Sequence, residues 1–281
     1  MQVKNPKSVM YRIHPINSLD LPELKPYRTM RLQTEHRRQG IFVAEGDKVV
    51  RRLLESSFQV ISILVEEKWL PGLEPLLKQR SEGMSVYVAK IKDLERLVGY
   101  ALYQGILAVG KVPHAHSLVK VIAQASKPCF LAAMEGVTNA INLGVIVRSC
   151  VAFGVQGLIV GEASASPFLR RAVRNSMGAI FHLPVVEVKN LRTTLQDLRS
   201  RDISCIAAHP HTDHRTIIQS DLKRNCCLVF GNEGCGISPG ILEVCEEWVA
   251  IPTSPMVDSL NVASAASIFL YEVYRQRCSA L

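Results

Sequence analysis

The sequence predicts an α/β protein with two consecutive α/β units, the second of which contains a parallel sheet with helices on both faces. Short apolar runs alternate with helix-like stretches along the chain. In the second half these runs are apolar throughout, which is typical of parallel strands buried on both faces. The length of 281 residues and the hydrophobic content of 48% suffice for one large or two ordinary domains.

The first unit is predicted over about residues 20–110 and alternates strands with helices. "IFVAEG" and "VISILVEE" predict strands, and "DKVVRRLLESSF" between them places Val49, Val50, Leu53 and Leu54 on one helix face. "GMSVYVAK", "IKDLERLVG" and "QGILAVGKV" continue as strand, helix and strand. We interpret residues 1–110 as one domain, and residues 111–126, with one proline and two histidines, as a linker.

The second unit is predicted over residues 127–281. Its strands are "CFLAAM", "GLIVG", "LPVVEV", "SCIAAH", "CLVFGN" and "WVAIP". Its helices are "NLGVIVRSCVAFG", "PFLRRAVRNSMG", "LRTTLQDLRSR", "GILEVCEE" and "SLNVASAASIFLYEVYRQR". Because ligands of open parallel sheets bind beyond the carboxyl ends of the strands, polar residues that follow these strands are candidate site residues.

Composition limits the function classes. The chain carries 33 Lys and Arg against 25 acidic residues, a formal charge of +8, which fits a nucleic-acid partner or simply a protein of moderately high pI. No stretch is apolar and long enough to span a membrane, and the N-terminal residues lack the hydrophobic region of a signal peptide. The eight cysteines form no C-x-x-C pair, so we expect no disulfide framework and a cytoplasmic location.

Arg148 stands in a segment that is otherwise almost wholly apolar, "NLGVIVRSCVAFG". Burial of an unpaired guanidinium is costly, so we expect it to meet a carboxylate, a phosphate or a cleft. A structural ion pair is the alternative. Asn142 at the start of the segment is predicted to cap the helix.

The loop "GNEGCGIS" follows a predicted strand and suggests a ligand that needs close approach to the backbone. It contains the carboxylate of Glu233, has no lysine, and matches neither G-x-x-x-x-G-K-[ST] nor G-x-G-x-x-G, so it is a poor phosphate site. A neutral or cationic ligand fits better. The missing dinucleotide fingerprint also disfavours a nicotinamide-dependent oxidoreductase.

Two further segments follow predicted strands. In "IPTSPMVDSLN", Ser259 and Asn261 either cap the last helix or line a binding site. "HPHTDH" groups His209, His211 and His214, but no second group of Cys or His has a matching spacing. A solvent-facing loop is therefore favoured over zinc, and no metal is expected.

Taken in order, "NAINLGVIVRSCVAFG", "LVFGNEGCGIS" and "IPTSPMVDSLNVASAASIFLYE" resemble the three motifs of the SpoU (TrmH-like) RNA 2'-O-ribose methyltransferases of the SPOUT class. "SPFLRRAVRNSMGAIFHLPV" resembles the segment between motifs one and two, and the first half resembles an L30e-like RNA-binding domain. The resemblance implies a C-terminal trefoil knot that holds S-adenosylmethionine, a homodimer with its active site at the subunit interface, and methylation of a ribose 2'-hydroxyl. Ribosomal RNA is favoured over tRNA; a non-catalytic RNA-binding protein is the alternative.

The same resemblance implies roles for individual residues. The catalytic set would be Arg148, Asn142, Glu233, Ser259 and Asn261. The cofactor would be bound at Gly231, Ile251 and Leu260, with Ala207, Ala208, Asn232 and Gly236 in the same pocket. Because a guanidinium stays protonated, we expect Arg148 to bind RNA phosphate and stabilise the alkoxide, with Glu233 holding Arg148 or the nucleotide. The Asp-Pro often found before the first motif is replaced by Ala140-Ile141.

RNA binding is expected from basic residues, although a solvated charged face is the alternative for each one. The candidates are Arg28, Arg31, Arg37, Arg38, Arg51, Arg52, Arg170, Arg171 and Arg174. Aromatic residues total only 6%, which favours recognition of folded RNA through phosphates and 2'-hydroxyls over stacking on single strands.

Overall fold

The computed structural model describes residues 11–16, 18–102, 104–210 and 215–278. The chain forms two compact units. The first comprises Met1–Pro113 and Phe168–Phe181, and the second comprises His114–Pro167 and His182–Leu281. The first unit thus includes a short segment that the chain supplies from within the sequence of the second.

The first unit contains a five-stranded mixed sheet. Its strands are β1 (Tyr11–Pro15), β2 (Ile41–Glu45), β3 (Val60–Glu66), β4 (Met84–Ala89) and β5 (Ile106–Lys111). Their order is β1-β4-β3-β5-β2, and β5 runs antiparallel to both of its neighbours. The helices are α1 (Lys25–Arg28), α2 (Gln33–Gln39), α3 (Asp47–Glu55), α4 (Leu70–Leu77) and α5 (Ile91–Val98). The sequence pattern did not predict β1, because only Tyr11 of this edge strand is buried.

The predicted amphipathic helix of the first unit is confirmed. Val49, Val50, Leu53 and Leu54 are the buried residues of α3. The helix begins after Gly46, whose φ of 98° is strained for residues with a side chain. The side chain of Gln104 accepts a hydrogen bond from the backbone N–H of Asp47 at 2.9 Å, and so satisfies one donor of the first turn.

The second unit contains a seven-stranded sheet in which every neighbouring pair is parallel, as predicted. Its strands are β6 (Phe130–Met134), β7 (Gly157–Val160), β8 (Val185–Glu187), β9 (Ser204–Ala208), β10 (Arg215–Thr216), β11 (Cys226–Phe230) and β12 (Glu247–Ala250). The order is β10-β12-β9-β11-β6-β7-β8. The helices are α6 (Leu118–Gln124), α7 (Ala140–Ala152), α8 (Arg170–Asn175, part of the first unit), α9 (Leu191–Ser200), α10 (Pro239–Leu242) and α11 (Val262–Cys278).

Helices cover both faces of this sheet. Residues of α6, α9 and α10 pack with Cys227 and Val229 in one core cluster. On the other face α7 contacts α11, and Phe230 packs against Phe269 of α11 with ring centroids 6.0 Å apart. Within the described residues, no helix is both long and apolar enough to cross a bilayer.

The region predicted as a linker, residues 111–126, contains α6. Its Val121 is 4% exposed and belongs to the core of the second unit, so hydrophobic burial stabilises a short helix there. The helix predicted over "GILEVCEE" is shorter than expected and consists of the four residues of α10.

The segment Phe168–Phe181 completes the core of the first unit. Its two terminal phenylalanines pack against Phe42, with ring-centroid distances of 5.9 Å for Phe168 and 5.7 Å for Phe181. Phe58 lies 6.1 Å and 5.3 Å from the same two rings. Tilted and edge-on arrangements of this kind add attraction between rings to the gain from burial.

Candidate active site

A cavity of about 350 Å³ lies at the carboxyl ends of β9, β11 and β12 in the second unit. The loops that follow these strands and the start of α11 form its wall, and its size is within the usual range for small-molecule sites. The predicted site residues in the wall are Ala208, Gly231, Asn232, Glu233, Gly236, Ile251, Ser259, Leu260 and Asn261. Ala207 is fully buried in β9 and does not reach the wall, because side chains alternate between the faces of a strand.

The glycine loop closes on itself immediately after β11. Asn232 and Gly236 exchange two backbone hydrogen bonds of 2.9 and 3.0 Å. A Cβ atom on Gly231 would lie 2.3 Å from the carbonyl carbon of Gly236, so only glycine fits there. Gly236 itself has a φ of 69°, in the left-handed region that favours glycine. The glycines therefore allow tight backbone packing at the cavity wall.

The side chain of Asn232 occupies amides that a phosphate would need. Its Oδ1 accepts hydrogen bonds from the backbone N–H groups of Gly234 and Cys235 at 2.8 and 3.0 Å. Its Nδ2 donates to the carbonyl oxygen of Gly136 at 2.6 Å. Because anion-binding loops present free N–H groups, this loop is a poor phosphate site, in agreement with the sequence pattern.

Glu233 joins the glycine loop to the start of α7. Its Oε1 accepts from the backbone N–H of Asn139 and from Asn142 Nδ2, both at 3.1 Å, and its Oε2 accepts from the N–H of Thr138 at 3.3 Å. Partial burial acts to raise the pKa of Glu233, but the hydrogen bonds from Asn142 and the backbone outweigh it and the pKa lies below its ordinary value. The carboxylate is therefore charged at neutral pH.

The amide of Asn142 connects this carboxylate to the third loop. Its Oδ1 accepts a hydrogen bond from Asn261 Nδ2 at 3.2 Å. Asn261 in turn accepts from the backbone N–H of Ala263 at 2.9 Å and so caps α11. The Asn261–Asn142–Glu233 chain, as we call these three side chains, links the three loops that carry the motifs.

The cap of α7 differs from the prediction. Asn139 is the N-cap, and its side chain accepts from the N–H of Ile141 at 2.9 Å. Asn142 lies inside the first turn and is thereby free to bond Glu233 and Asn261. Asn139 therefore caps the first turn of α7, where Ala140-Ile141 replaces the Asp-Pro that is often found before the first motif.

Arg148 is exposed, and within this chain it meets neither the carboxylate nor the cleft that the sequence led us to expect. It makes no hydrogen bond or ion pair with any described residue, and it does not line the cavity within this chain. Ile141 and Val145, 44% and 36% exposed, share its face of α7 because residues at spacings of three and four fall on one side of a helix. Glu233 contacts Asn142 and the backbone instead of Arg148.

Six of the nine candidate RNA-binding arginines donate to partners within the first unit. Arg28 donates to Leu19, Arg31 to Gly99, Arg51 to Asp47 and Gly72, Arg52 to Met177, and Arg170 and Arg174 to Glu45. Over the part of the chain that the structure describes, Arg37, Arg38 and Arg171 have no such partner and are exposed. The candidate RNA-binding arginines therefore fall into two groups, six that donate to protein partners and three that are exposed without such a partner.

Sequence patterns missed several residues of the cavity region. His209 lines the cavity and its ring lies 5.9 Å from that of Trp248, whereas His211 and His214 lie outside the described residues. Cys235 is an exposed thiol in the wall. The position of Asn139 just before a helix was a usable signal, because asparagine is favoured at N-caps.

Comparison with known proteins assigns the family. The model of the SpoU rRNA Methylase family matches residues 130–271. The 23S rRNA (guanosine-2'-O-)-methyltransferase RlmB of Escherichia coli K12 is 33% identical over 241 residues, which cover 83% of this chain and 97% of RlmB. An uncharacterized tRNA/rRNA methyltransferase of Mycobacterium tuberculosis is 32% identical over 238 residues, 83% of this chain and 81% of that protein.

Solved structures agree with this assignment. The SpoU methyltransferase AviRb from Streptomyces viridochromogenes superposes with a TM-score of 0.79 at 26% identity, covering 92% of this chain and 98% of AviRb. The complex of AviRb with its cofactor AdoMet gives a TM-score of 0.78 over 92% of this chain and 99% of that one. The chain therefore belongs to the SpoU rRNA methylase family and is an S-adenosylmethionine-dependent RNA methyltransferase.

Proposed function

We propose that this protein methylates a ribose 2'-hydroxyl of ribosomal RNA at the cavity beyond β9, β11 and β12. The observation that carries the proposal is the Asn261–Asn142–Glu233 chain, which joins the start of α7 to the glycine loop and to the loop before α11, beside the cavity. RlmB, the relative with 33% identity, is named as a 23S rRNA guanosine-2'-O-methyltransferase. A tRNA ribose is the alternative acceptor, since other relatives are named tRNA/rRNA methyltransferases.

The residues present fit S-adenosylmethionine. The cavity wall is partly apolar, with Phe230, Val249, Ile251 and Leu260, and Glu233 is a charged carboxylate at its rim. The loop amides are already occupied by Asn232, which suits a ligand without phosphate. When bound, the cofactor supplies a methyl group on a sulfonium, a good leaving centre. Backbone at Gly231, Ile251 and Leu260 would hold it.

Bound S-adenosylmethionine would supply the methyl group, which the ribose 2'-hydroxyl would accept with loss of its proton to solvent. Arg148 binds the neighbouring phosphate and stabilises the developing alkoxide. Its guanidinium stays protonated and is not a base. Asn142 and Glu233 position the loops, and Ser259 and Asn261, which line the cavity, would bond the ribose.

The proposed chemistry involves a homodimer, in which Arg148 would reach the active site. Within one chain Arg148 lies on an exposed face, together with the apolar Val145, and α11 exposes Ile268, Tyr271 and Tyr274 by 39%, 51% and 45%. Exposed apolar faces of this kind are typical of subunit interfaces. We infer that a second copy covers these faces and that Arg148 meets the active site in the dimer.

The arrangement of the chain follows from the same proposal. The first unit, including Phe168–Phe181, would bind RNA as an L30e-like domain, and the second unit would form the methyltransferase domain. The loop and helix from Ile251 onward would pass through a trefoil knot, which is supported by the contribution of three separate loops to one cavity. A cytoplasmic location fits an enzyme that acts on RNA.

The decisive experiment maps 2'-O-methyl groups in total RNA from cells with and without the gene. The expected result is one ribosomal site that is lost on deletion and restored by the wild-type gene but not by an Arg148→Ala variant. Restoration at a normal rate by Arg148→Ala would refute the role of Arg148. Loss of a tRNA site alone would favour the alternative acceptor.

A further inference from the structure

Arg31 and Arg170 contact Tyr100 in the first unit, and Arg174 joins Arg170 through the shared carboxylate of Glu45. The guanidinium carbons of Arg31 and Arg170 lie 5.0 and 5.4 Å from the centroid of the Tyr100 ring. Arg170 Nη1 also donates to the phenol oxygen at 3.0 Å. Cations at these distances are attracted by the ring quadrupole, so a single aromatic side chain holds two guanidinium groups close together.

Glu45 organises the same cluster from below the surface. It is 7% exposed and accepts hydrogen bonds from Arg170 Nη1 and, at 2.7 Å, from Arg174 Nη1. Among the described residues, it is the single carboxylate that pairs with Arg170 and Arg174, and Arg31 pairs with no carboxylate. Three positive charges therefore face one negative charge, and two remain uncompensated.

The chain builds the cluster from segments far apart in sequence. Tyr100 follows Gly99, the residue that ends α5. The carbonyl oxygen of Gly99 accepts a hydrogen bond from Arg31 at 3.2 Å. Arg170 and Arg174 come from α8, four residues apart and therefore on one face of the helix, while Ala172 and Val173 are buried on the other. The methyltransferase part of the sequence thus supplies cations to the surface of the first unit.

The cluster presents its charge to solvent. The side chain of Arg174 is 51% exposed although it pairs with Glu45, and Arg31 is exposed as well. Burial and the charge of Glu45 raise the pKa of Tyr100 to about 12, so the phenol is neutral at neutral pH and adds no negative charge. An oxyanion between Arg31 and Arg174 would relieve the repulsion of like charges and accept charge-assisted hydrogen bonds.

We infer that Arg31, Arg174 and Tyr100 form a phosphate-binding site of the first unit, which binds one phosphodiester of the RNA substrate and is positioned by Glu45 and Arg170. Fork-shaped guanidinium groups suit the tetrahedral oxygens of a phosphate. The Tyr100 ring holds Arg31 and Glu45 holds Arg174, so both guanidinium groups are positioned before the anion binds. The inference rests on the proposed function and specifies where the first unit contacts the RNA.

The test measures binding of in-vitro transcribed 23S rRNA to the full-length protein over a range of salt concentrations. Each phosphate contact adds nearly one unit to the slope of log affinity against log salt. Arg31→Gln with Arg174→Gln should lower the steepness by about one unit and the affinity at low salt by about tenfold or more. The matched control is Lys78→Gln with Arg201→Gln, which removes two exposed charges that also pair with acids.

A second pair of variants tests the positioning by Tyr100. Tyr100→Leu keeps every cation, so the salt slope should stay unchanged while affinity at fixed salt falls about threefold to tenfold through loss of two cation–π contacts. Tyr100→Phe keeps the ring and should bind nearly as the wild type. If the substitutions acted only on folding, Tyr100→Leu and Tyr100→Phe would both have a lower melting temperature. Affinity would then not fall in Tyr100→Leu alone at an unchanged salt slope.

The outcomes distinguish this inference from the proposed function. Equal salt slopes for the arginine double variant and its control would overturn the phosphate site, even if methyl transfer to rRNA is observed. Inorganic phosphate in millimolar excess should compete with RNA only at the wild-type site; equal competition with both double variants would also overturn it. If the wild type binds rRNA through this site but S-adenosylmethionine donates no methyl group, the proposed function fails and the site stands.

Discussion

Replacement of Gly231 by alanine tests whether the glycine loop requires the close backbone approach that the structure shows. The added Cβ would lie 2.3 Å from the carbonyl carbon of Gly236, 2.5 Å from its oxygen and 2.5 Å from the nitrogen of Ile237. All three are backbone atoms, so no side-chain rotation can make room. Carbon atoms in contact prefer about 3.5–4.0 Å, so the loop would have to open by roughly 1 Å.

The magnitude follows from this overlap. Insertion of a methyl group into a closely packed site costs about 1–3 kcal/mol. The opening would stretch the two hydrogen bonds of 2.9 and 3.0 Å between Asn232 and Gly236, which hold the cavity wall. Since about 1.4 kcal/mol corresponds to a tenfold change, affinity for S-adenosylmethionine should fall about tenfold to a hundredfold.

The assay is isothermal calorimetry with S-adenosylmethionine, and the control is Gly234→Ala. Gly234 lies in the same loop, yet a Cβ there would meet only Asn232 Oδ1 at 3.5 Å, an ordinary contact. We expect the control to bind with nearly wild-type affinity. Wild-type affinity of Gly231→Ala would refute the argument from close approach, and an equal loss in Gly234→Ala would show that the loop tolerates no side chain at either position.

Three further predictions concern other parts of the molecule. Glu233→Gln should lower the thermal stability at neutral pH. Because the native pKa of Glu233 is lowered, the stabilising effect of its carboxylate is complete above the ordinary value of 4.5 and is lost as pH falls through the lower native value, so scanning calorimetry at several pH values should show no such loss in the variant. The guanidinium of Arg277 donates to the carbonyls of Pro128 and Arg224 at 2.8 and 2.7 Å. Arg277→Ala should therefore lower the melting temperature by several degrees, which corresponds to about 2–4 kcal/mol, and Arg277→Lys should recover part of the loss. Phe181→Ala should cost about 3–5 kcal/mol in thermal or urea unfolding, and an unchanged midpoint would contradict the packing of the inserted segment on the first unit.

Much of the fold could be predicted because its signals are local. The uniformly apolar runs predicted the parallel sheet of the second unit, and helical spacing predicted the buried face of α3. The strand β1 and the helix α6 were missed because each buries few residues and has a weak pattern. Their stability comes from contacts with distant segments, which sequence periodicity does not record.

Some features of the candidate site could likewise be predicted from the sequence and others could not. The missing lysine and missing fingerprints predicted a poor phosphate site, and the bonds from the amides of Gly234 and Cys235 to Asn232 support that prediction. Apolar neighbours suggested that Arg148 meets a carboxylate, a phosphate or a cleft, yet one face of α7 is exposed and includes it. Composition around a residue does not reveal which side of a helix faces the core when the whole helix is apolar.

By itself, the sequence determined the element types, the order of the three motifs and the chemistry that each loop can offer, because these depend on neighbours within a few residues. Tertiary structure alone decided which side chains meet. It joined Asn261, Asn142 and Glu233 across 119 and 91 positions of sequence, and it brought α8 to Glu45 across 125 positions. Such contacts depend on how helices and strands pack, and packing is set by the whole chain rather than by any local pattern.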